Sequence, residues 1–289
     1  METILDVVVA GLLLGGIFAL IAVGLSLQYG VARVLNIAHG EFIMIGALVT
    51  WTLYTVVGIN PLLCLAIVGP AIFIIGFLLH RTLFTWLRIS APSPGAFEGN
   101  SILAAFGLLY LIQGIAFKIW TADVHGYTYL AFPVNVGTVT FPANRLVTLL
   151  FAIGISLVFY LFLAYTRLGK AIRAAAQDPA TAGLMGVNIN LVLALCFGLG
   201  TLMAGIAGSL TSMCFPVYAT MGLQYTIIAI IVVVLGGLGS IPGSFIGGFI
   251  IGIIGSIMSY VQPGLAVAAY YMLFIILLLV RPAGILGKK

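Results

Sequence analysis

Asn36, His39 and Glu41 fall in the segment Asn36-Ile-Ala-His39-Gly40-Glu41, between two long apolar runs. An ionised side chain at the centre of a bilayer costs about 2.5–3.5 kcal/mol even on a mild insertion scale, so such a group usually faces a cavity or a partner. Two roles fit. The three residues line a translocation path or hinge a gate, or they tie a broken helix to its neighbour through buried hydrogen bonds. If a helix opens at Gly40, Glu41 lies in its first turn, where the helix dipole favours an anionic side chain.

A second polar stretch runs over Thr166–Asn188, TRLGKAIRAAAQDPATAGLMGVN. Asp178 followed by Pro179 has the form of an N-cap and a first helical position, and Gly186 is a C-terminal stop. The short helix between them carries Ala182, Leu184 and Met185. A helix of about two turns is marginal alone, so it must pack on something. That surface is either a groove on a cytosolic partner or this chain itself. Glycines supply a third pattern. Gly239, Gly243 and Gly247 are four apart, as are Gly248 and Gly252, and Gly11 and Gly15. On a helix that spacing shares one face and lets two backbones approach closely.

Other chemistries lack their residues. His39, His80 and His125 are scattered, and no HExxH, GxSxG or Walker A motif occurs. Gly284-Ile-Leu-Gly287-Lys288 has neither the spacing nor the following Ser or Thr of a phosphate loop. Asp123 and His125 have no third metal ligand near them. Cys64, Cys196 and Cys214 are read as small apolar residues. The chain is therefore expected to be no enzyme and to hold no cofactor. If a nucleotide drives its function, another chain binds it.

The elements that position these residues follow from composition. The 289 residues are 63% hydrophobic and 6% charged, against about 25% charged in soluble domains. Apolar spans fall at about 7–29, 40–58, 61–80, 101–120, 146–166, 189–212, 225–240, 243–261 and 265–281, each close to the length that crosses about 30 Å of hydrocarbon. The expected fold is all-α: one polytopic membrane domain over residues 1–289, with about nine spans (eight to ten) and broken or re-entrant segments near 30–40 and 236–243. Such breaks survive at membrane depth only against protein or a cavity. The stretch 122–144 reads as a small hairpin or irregular cap.

The net charge of +5 reflects orientation rather than nucleic-acid binding. With Arg81 and Arg88 inside, alternation puts Arg167, Lys170, Arg173, Arg281, Lys288 and Lys289 inside as well, leaving Lys118 and Arg145 outside and Arg33 unassigned. By the positive-inside rule the N-terminus is outside and the C-terminus cytoplasmic.

Four motifs occur in order: Tyr29-Gly30 with Asn36-Ile-Ala-His39-Gly40-Glu41-Phe-Ile-Met-Ile-Gly46-Ala47; Arg173-Ala with Gln177-Asp178 and Leu184-Met185-Gly186-Val187-Asn188; Leu235-Gly-Gly-Leu-Gly239-Ser240-Ile-Pro242-Gly243; and Arg281-Pro282-Ala-Gly284-Ile-Leu286-Gly287. Together they resemble the permease subunits of branched-chain amino acid ABC importers, nearest to the shorter, H-type subunit. The resemblance implies a bacterial inner-membrane permease paired with a second homologous permease. It also implies two cytosolic ATPase subunits that use ATP and a periplasmic solute-binding protein. It makes 166–188 the coupling loop, with Arg173, Asp178, Ala182, Leu184, Met185 and Gly186 in the ATPase contact. The family also includes importers of urea, short amides and aromatic acids. A stand-alone channel or secondary carrier is the more distant alternative.

Overall fold

The computed structural model describes residues 2–136, 139–262, 264–281 and 283–287. Pro282, Lys288 and Lys289, which entered the motif and charge readings, lie outside the described residues.

The long helix α1 (Glu2–Ala32) runs through the middle of the bundle. Around it stand α2 (His39–Thr52), α3 (Pro61–Leu79), α4 (Thr85–Ser90), α5 (Pro94–Trp120) and α6 (Ala143–Tyr165). They are followed by α7 (Arg167–Gln177), α8 (Pro179–Leu184), α9 (Ile189–Ser212), α10 (Met221–Gly236), α11 (Ile241–Val261) and α12 (Leu265–Val280). A π turn, Leu53–Val57, prolongs α2, and a second, His80–Phe84, joins α3 to α4. Among the described residues, seven helical stretches are long and apolar enough to cross a membrane, and α10 and α12 are shorter apolar helices. All nine overlap the spans read from the sequence, and the third continues through the π turn to Ser90. The helix α5 also begins earlier than expected, at Pro94, because Ser93 caps it, accepting from the Ala96 amide at 3.2 Å.

Between α5 and α6 lies the expected hairpin. Strands β1 (Pro133–Val136) and β2 (Val139–Pro142) pair antiparallel, with Val134 opposite Phe141. His125 exchanges two 2.8 Å backbone bonds with Val217, and Asn144 Nδ2 donates to the Met213 carbonyl at 2.8 Å. The hairpin region is thereby fastened to the 213–220 connection.

The glycine pattern proves to serve two neighbours. A Cβ at Gly243 would run into the Gly236 carbonyl, and one at Gly247 would stand 2.9 Å from the Val232 carbonyl oxygen, so these two glycines face α10. Gly248 and Gly252 press on Ala19 and Gly15 of α1. Gly239 differs from the expectation. It precedes α11, in a turn where Gly237 has φ +103° and Gly239 φ +80°, and its Cα packs on Gly30. Gly243 and Gly247 thus stand on one face of α11, against α10. Gly239 is glycine because its backbone is left-handed and touches another backbone.

Basic residues gather at one end. Arg33 and Arg88 line one cavity with Pro179, and Arg173 lines another with Gly30 and Gly239. Arg33, unassigned from sequence, thus belongs with Arg88. The opposite end holds the hairpin region, where Tyr129 donates to Asn60 Oδ1 at 2.9 Å and Tyr127 pairs with Ser212 at 2.9 Å.

Candidate functional site

The chain leaves α1 at Ala32, turns through Arg33 (φ +54°) and folds back into the bundle, so that α2 starts beside the middle of α1. His39, the first residue of α2, sits with Nε2 3.2 Å from the Ile21 carbonyl, which fixes a proton on that nitrogen. Its Nδ1 lies 3.3 Å from Gln28 Oε1. Asn36 Nδ2 donates to the same oxygen at 3.3 Å, and Gln28 Nε2 donates to the Phe197 carbonyl of α9 at 3.1 Å. Gln28, Asn36 and His39 are all fully buried. The structure thus brings Asn36 and His39 together through Gln28, a residue the sequence reading did not single out.

The start of α2 is closed from α10. The Gly40 amide has no carbonyl to bond within its helix. It donates instead to Thr226 Oγ1 at 2.8 Å, and that hydroxyl donates to the Ile37 carbonyl at 3.0 Å. One hydroxyl therefore satisfies two backbone groups that a broken helix would leave bare at depth. The helices can approach this closely because both carry glycine. A Cβ at Gly40 would overlap the Gly222 carbonyl, and one at Gly222 would overlap the Glu41 carboxyl group.

Glu41 is 0% exposed, and neither carboxyl oxygen has a hydrogen-bond partner among the described residues. It lies in the first turn of α2 and against the first turn of α10. Two helix N-termini thus face one carboxyl group, and both favour negative charge there. Asn36 Oδ1, eight residues from Gln28, is also without a partner. This junction is a polar seam whose hydrogen bonds are complete at the Gly40 amide and incomplete at Asn36 and Glu41.

The second set of predicted residues lies at the basic end, remote from this seam. Asp178 caps α8 by accepting from the amides of Ala180 (2.9 Å) and Thr181 (3.2 Å), and from the Thr181 hydroxyl. The Thr181 hydroxyl and amide hold the Asp178 carboxyl below the ordinary carboxylate range. The cap is therefore present above that range and is lost as pH falls through the lowered value. At the other end Gly186, at φ +85°, donates to the Gly183 carbonyl and Val187 to the Ala182 carbonyl, the double bond of a Schellman stop. Leu184 and Met185 are 89% and 81% exposed, whereas Ala182 is 5% exposed. The three do not form one outward face: Ala182 is used within this chain, where α8 packs on α7 and α9. Arg173 is exposed but reaches back to its own chain, donating to the Ala164 carbonyl at the end of α6 at 3.1 Å. The helix α7, not distinguished in the sequence reading, buries Gly169, Ile172 and Ala175 and exposes Arg167, Lys170 and Arg173.

Residues 7–281 match the family model described as the permease component of branched-chain amino acid transport systems. The high-affinity branched-chain amino acid transport system permease LivH of Salmonella typhimurium is 31% identical over 292 residues, covering 96% of this chain and 94% of the relative. The corresponding permease BraD of Pseudomonas aeruginosa is 32% identical over 308 residues, with coverages of 98% and 96%. In fold, the chain is similar to a chain of PsaBC from Streptococcus pneumoniae in complex with Fab, at a TM-score of 0.50 and 14% identity, covering 95% and 91% of the two chains. With matches across nearly its whole length, this multi-pass membrane chain belongs to the family of branched-chain amino acid transport system permease components.

Proposed function

We propose that this chain is a permease subunit of an ABC importer that moves branched-chain or other amino acids into the cytoplasm. Separate ATPase subunits drive it, a second homologous permease completes the membrane pore, and a periplasmic binding protein delivers the solute. The basic end is cytoplasmic by the positive-inside rule. The N-terminus and the hairpin region then face outward, in a bacterial inner membrane.

The observation that carries this reading is α8. A six-residue helix closed at both ends by Asp178 and Gly186 presents two large apolar side chains to solvent, at the end of the bundle where the arginines gather. Rigid exposed apolar pairs suit insertion into a groove on a partner. Leu184 and Met185 would be the inserted residues, with Asp178 and Gly186 holding their geometry. Ala182 supports them from beneath.

The seam between α2 and α10 serves as the gate. In this conformation Glu41 is buried without a partner, which is costly for a carboxyl group. A conformation that parts α2 from α10 gives Glu41 water or the ammonium group of a passing amino acid, so opening recovers part of what separating the helices costs. His39 and Asn36, anchored through Gln28 to α1 and α9, stay with the fixed side.

The test is co-purification of the chain with its ATPase subunits. Leu184→Asp with Met185→Asp is expected to insert normally and to lose the ATPases. Retention of the ATPases by this double variant would remove α8 from the contact.

A further inference from the structure

A cavity of about 230 Å³ opens at the basic end between α1, α6, α7 and the turn before α11. Ser26, Tyr160, Arg173 and Ser240 are its polar side chains. Ser26 is 0% exposed, and its hydroxyl has no hydrogen-bond partner. Arg173 spends one donor on the Ala164 carbonyl; a guanidinium has five. Arg167 and Lys170 stand on the same exposed side of α7. No acidic side chain is among the described residues that line the cavity.

The cavity does not end there. Tyr160, Ile241 and Pro242 line it and also line a second groove, of about 320 Å³, between α6 and α11. That groove is walled by Val23, Ile153, Leu157, Phe245 and Ile246; besides Tyr160 at its junction with the pocket it contains the polar side chain of Ser156, whose buried hydroxyl is likewise unpartnered. A basic pocket thus continues into an apolar channel along the helices, with an unbonded hydroxyl in each part.

We propose that this continuous pocket and groove bind one anionic phospholipid. The phosphodiester is held by the Arg173 guanidinium and the Ser26 hydroxyl, and an acyl chain lies in the α6–α11 groove. Basic pockets between membrane helices on the cytoplasmic side bind anionic headgroups, and the shape divides polar from apolar as a lipid does. A free solute carboxylate would fill the pocket and leave the groove empty, and a second protein would have to bury the arginine side as well as the groove. Because Arg173 lies on α7, directly before α8, an occupied site braces the segment that carries Leu184 and Met185. The assignment of the leaflet rests on the orientation proposed above; the binding itself does not.

Native mass spectrometry of the intact transporter complex, equilibrated with equal amounts of phosphatidylglycerol and phosphatidylcholine of the same chains, tests this. The unsubstituted complex is expected to retain phosphatidylglycerol preferentially. Arg173→Gln should lower that retention about fivefold, the worth of one basic residue at an anionic headgroup, and leave phosphatidylcholine unchanged. Ser156→Phe, which fills the groove, should lower phosphatidylglycerol retention with Arg173 intact, while Lys118→Gln at the far end should not. If Ser156→Phe fails to assemble, Arg173→Gln decides alone. Equal retention of both lipids, or no effect of Arg173→Gln, overturns the proposal. Displacement of the lipid by soluble glycerophosphate at equal concentration overturns the groove, and crosslinking from position 157 to another protein shows that a partner covers it.

Discussion

Glu41 is buried with both oxygens unbonded, and Gly222 is the residue that makes room for it. Two outcomes follow. Glu41→Ala should abolish or strongly reduce uptake, whereas Glu41→Gln, which keeps the shape and can still bond to a solute or water, should retain more. Unchanged uptake in Glu41→Ala would detach this side chain from the gate. Gly222→Ala pushes a methyl group into the carboxyl group. Overpacking of that kind costs about 1–3 kcal/mol, seen as a lower melting temperature of the purified chain. Removing the carboxyl group should relieve it, so Glu41→Ala with Gly222→Ala should lose less than the sum of the single losses. Additive losses would mean that the two residues do not press on each other. Asn36, His39 and Glu41 were legible in the sequence because charge and amide groups are conspicuous among apolar residues. Gln28 and Thr226 were not, since one polar residue inside a long apolar helix is common. Only the fold reveals that Gln28 joins Asn36 to His39 and that Thr226 closes the start of α2.

At the scale of elements, α8 and α11 illustrate which signals survive from sequence to structure. Asp178-Pro179 and Gly186 set the limits of α8 because capping and a left-handed stop depend on neighbouring residues alone. Which side of so short a helix faces its own chain depends on α7 and α9, so the burial of Ala182 could not be read from its position. The spacing of Gly243 and Gly247 announced close packing, but α11 has two glycine faces for two partners, and Gly239 belongs to the turn. Substitution tests follow from this. Gly186→Val places a β-branched residue at φ +85°, where a left-handed conformation costs about 1–2 kcal/mol. It should unfasten the end of α8 and reduce ATPase retention without changing insertion into the membrane. Ala182→Asp should act differently, by lowering the stability of the α7–α8 region itself, because it buries a charge within this chain. Equal protease resistance of that loop in Ala182→Asp and the unsubstituted chain would contradict the burial.

The whole molecule has a basic end and an end capped by the hairpin region, and the charge count alone assigned them because loop charges alternate along the chain. The apolar helices were legible for a similar reason, since length and hydropathy are local properties. The return of the chain after Ala32, which puts His39 level with Ile21, is a tertiary event and left only glycine and polar residues as its trace. A single cysteine at position 128 should react with an impermeant reagent on intact cells, and one at position 184 only after permeabilisation. The opposite pattern would invert the molecule.

If ATPases acting on α8 drive this permease, it passes an amino acid inward only when they hydrolyse ATP. ATP-driven leucine uptake into proteoliposomes holding the reconstituted transporter measures it most directly. Uptake should require ATP, the binding protein and this chain, and should fall to background in Leu184→Asp with Met185→Asp while the permease remains inserted. Full uptake by that double variant, or leucine uptake by this chain alone without ATP, would mean that α8 does not couple transport to the ATPases.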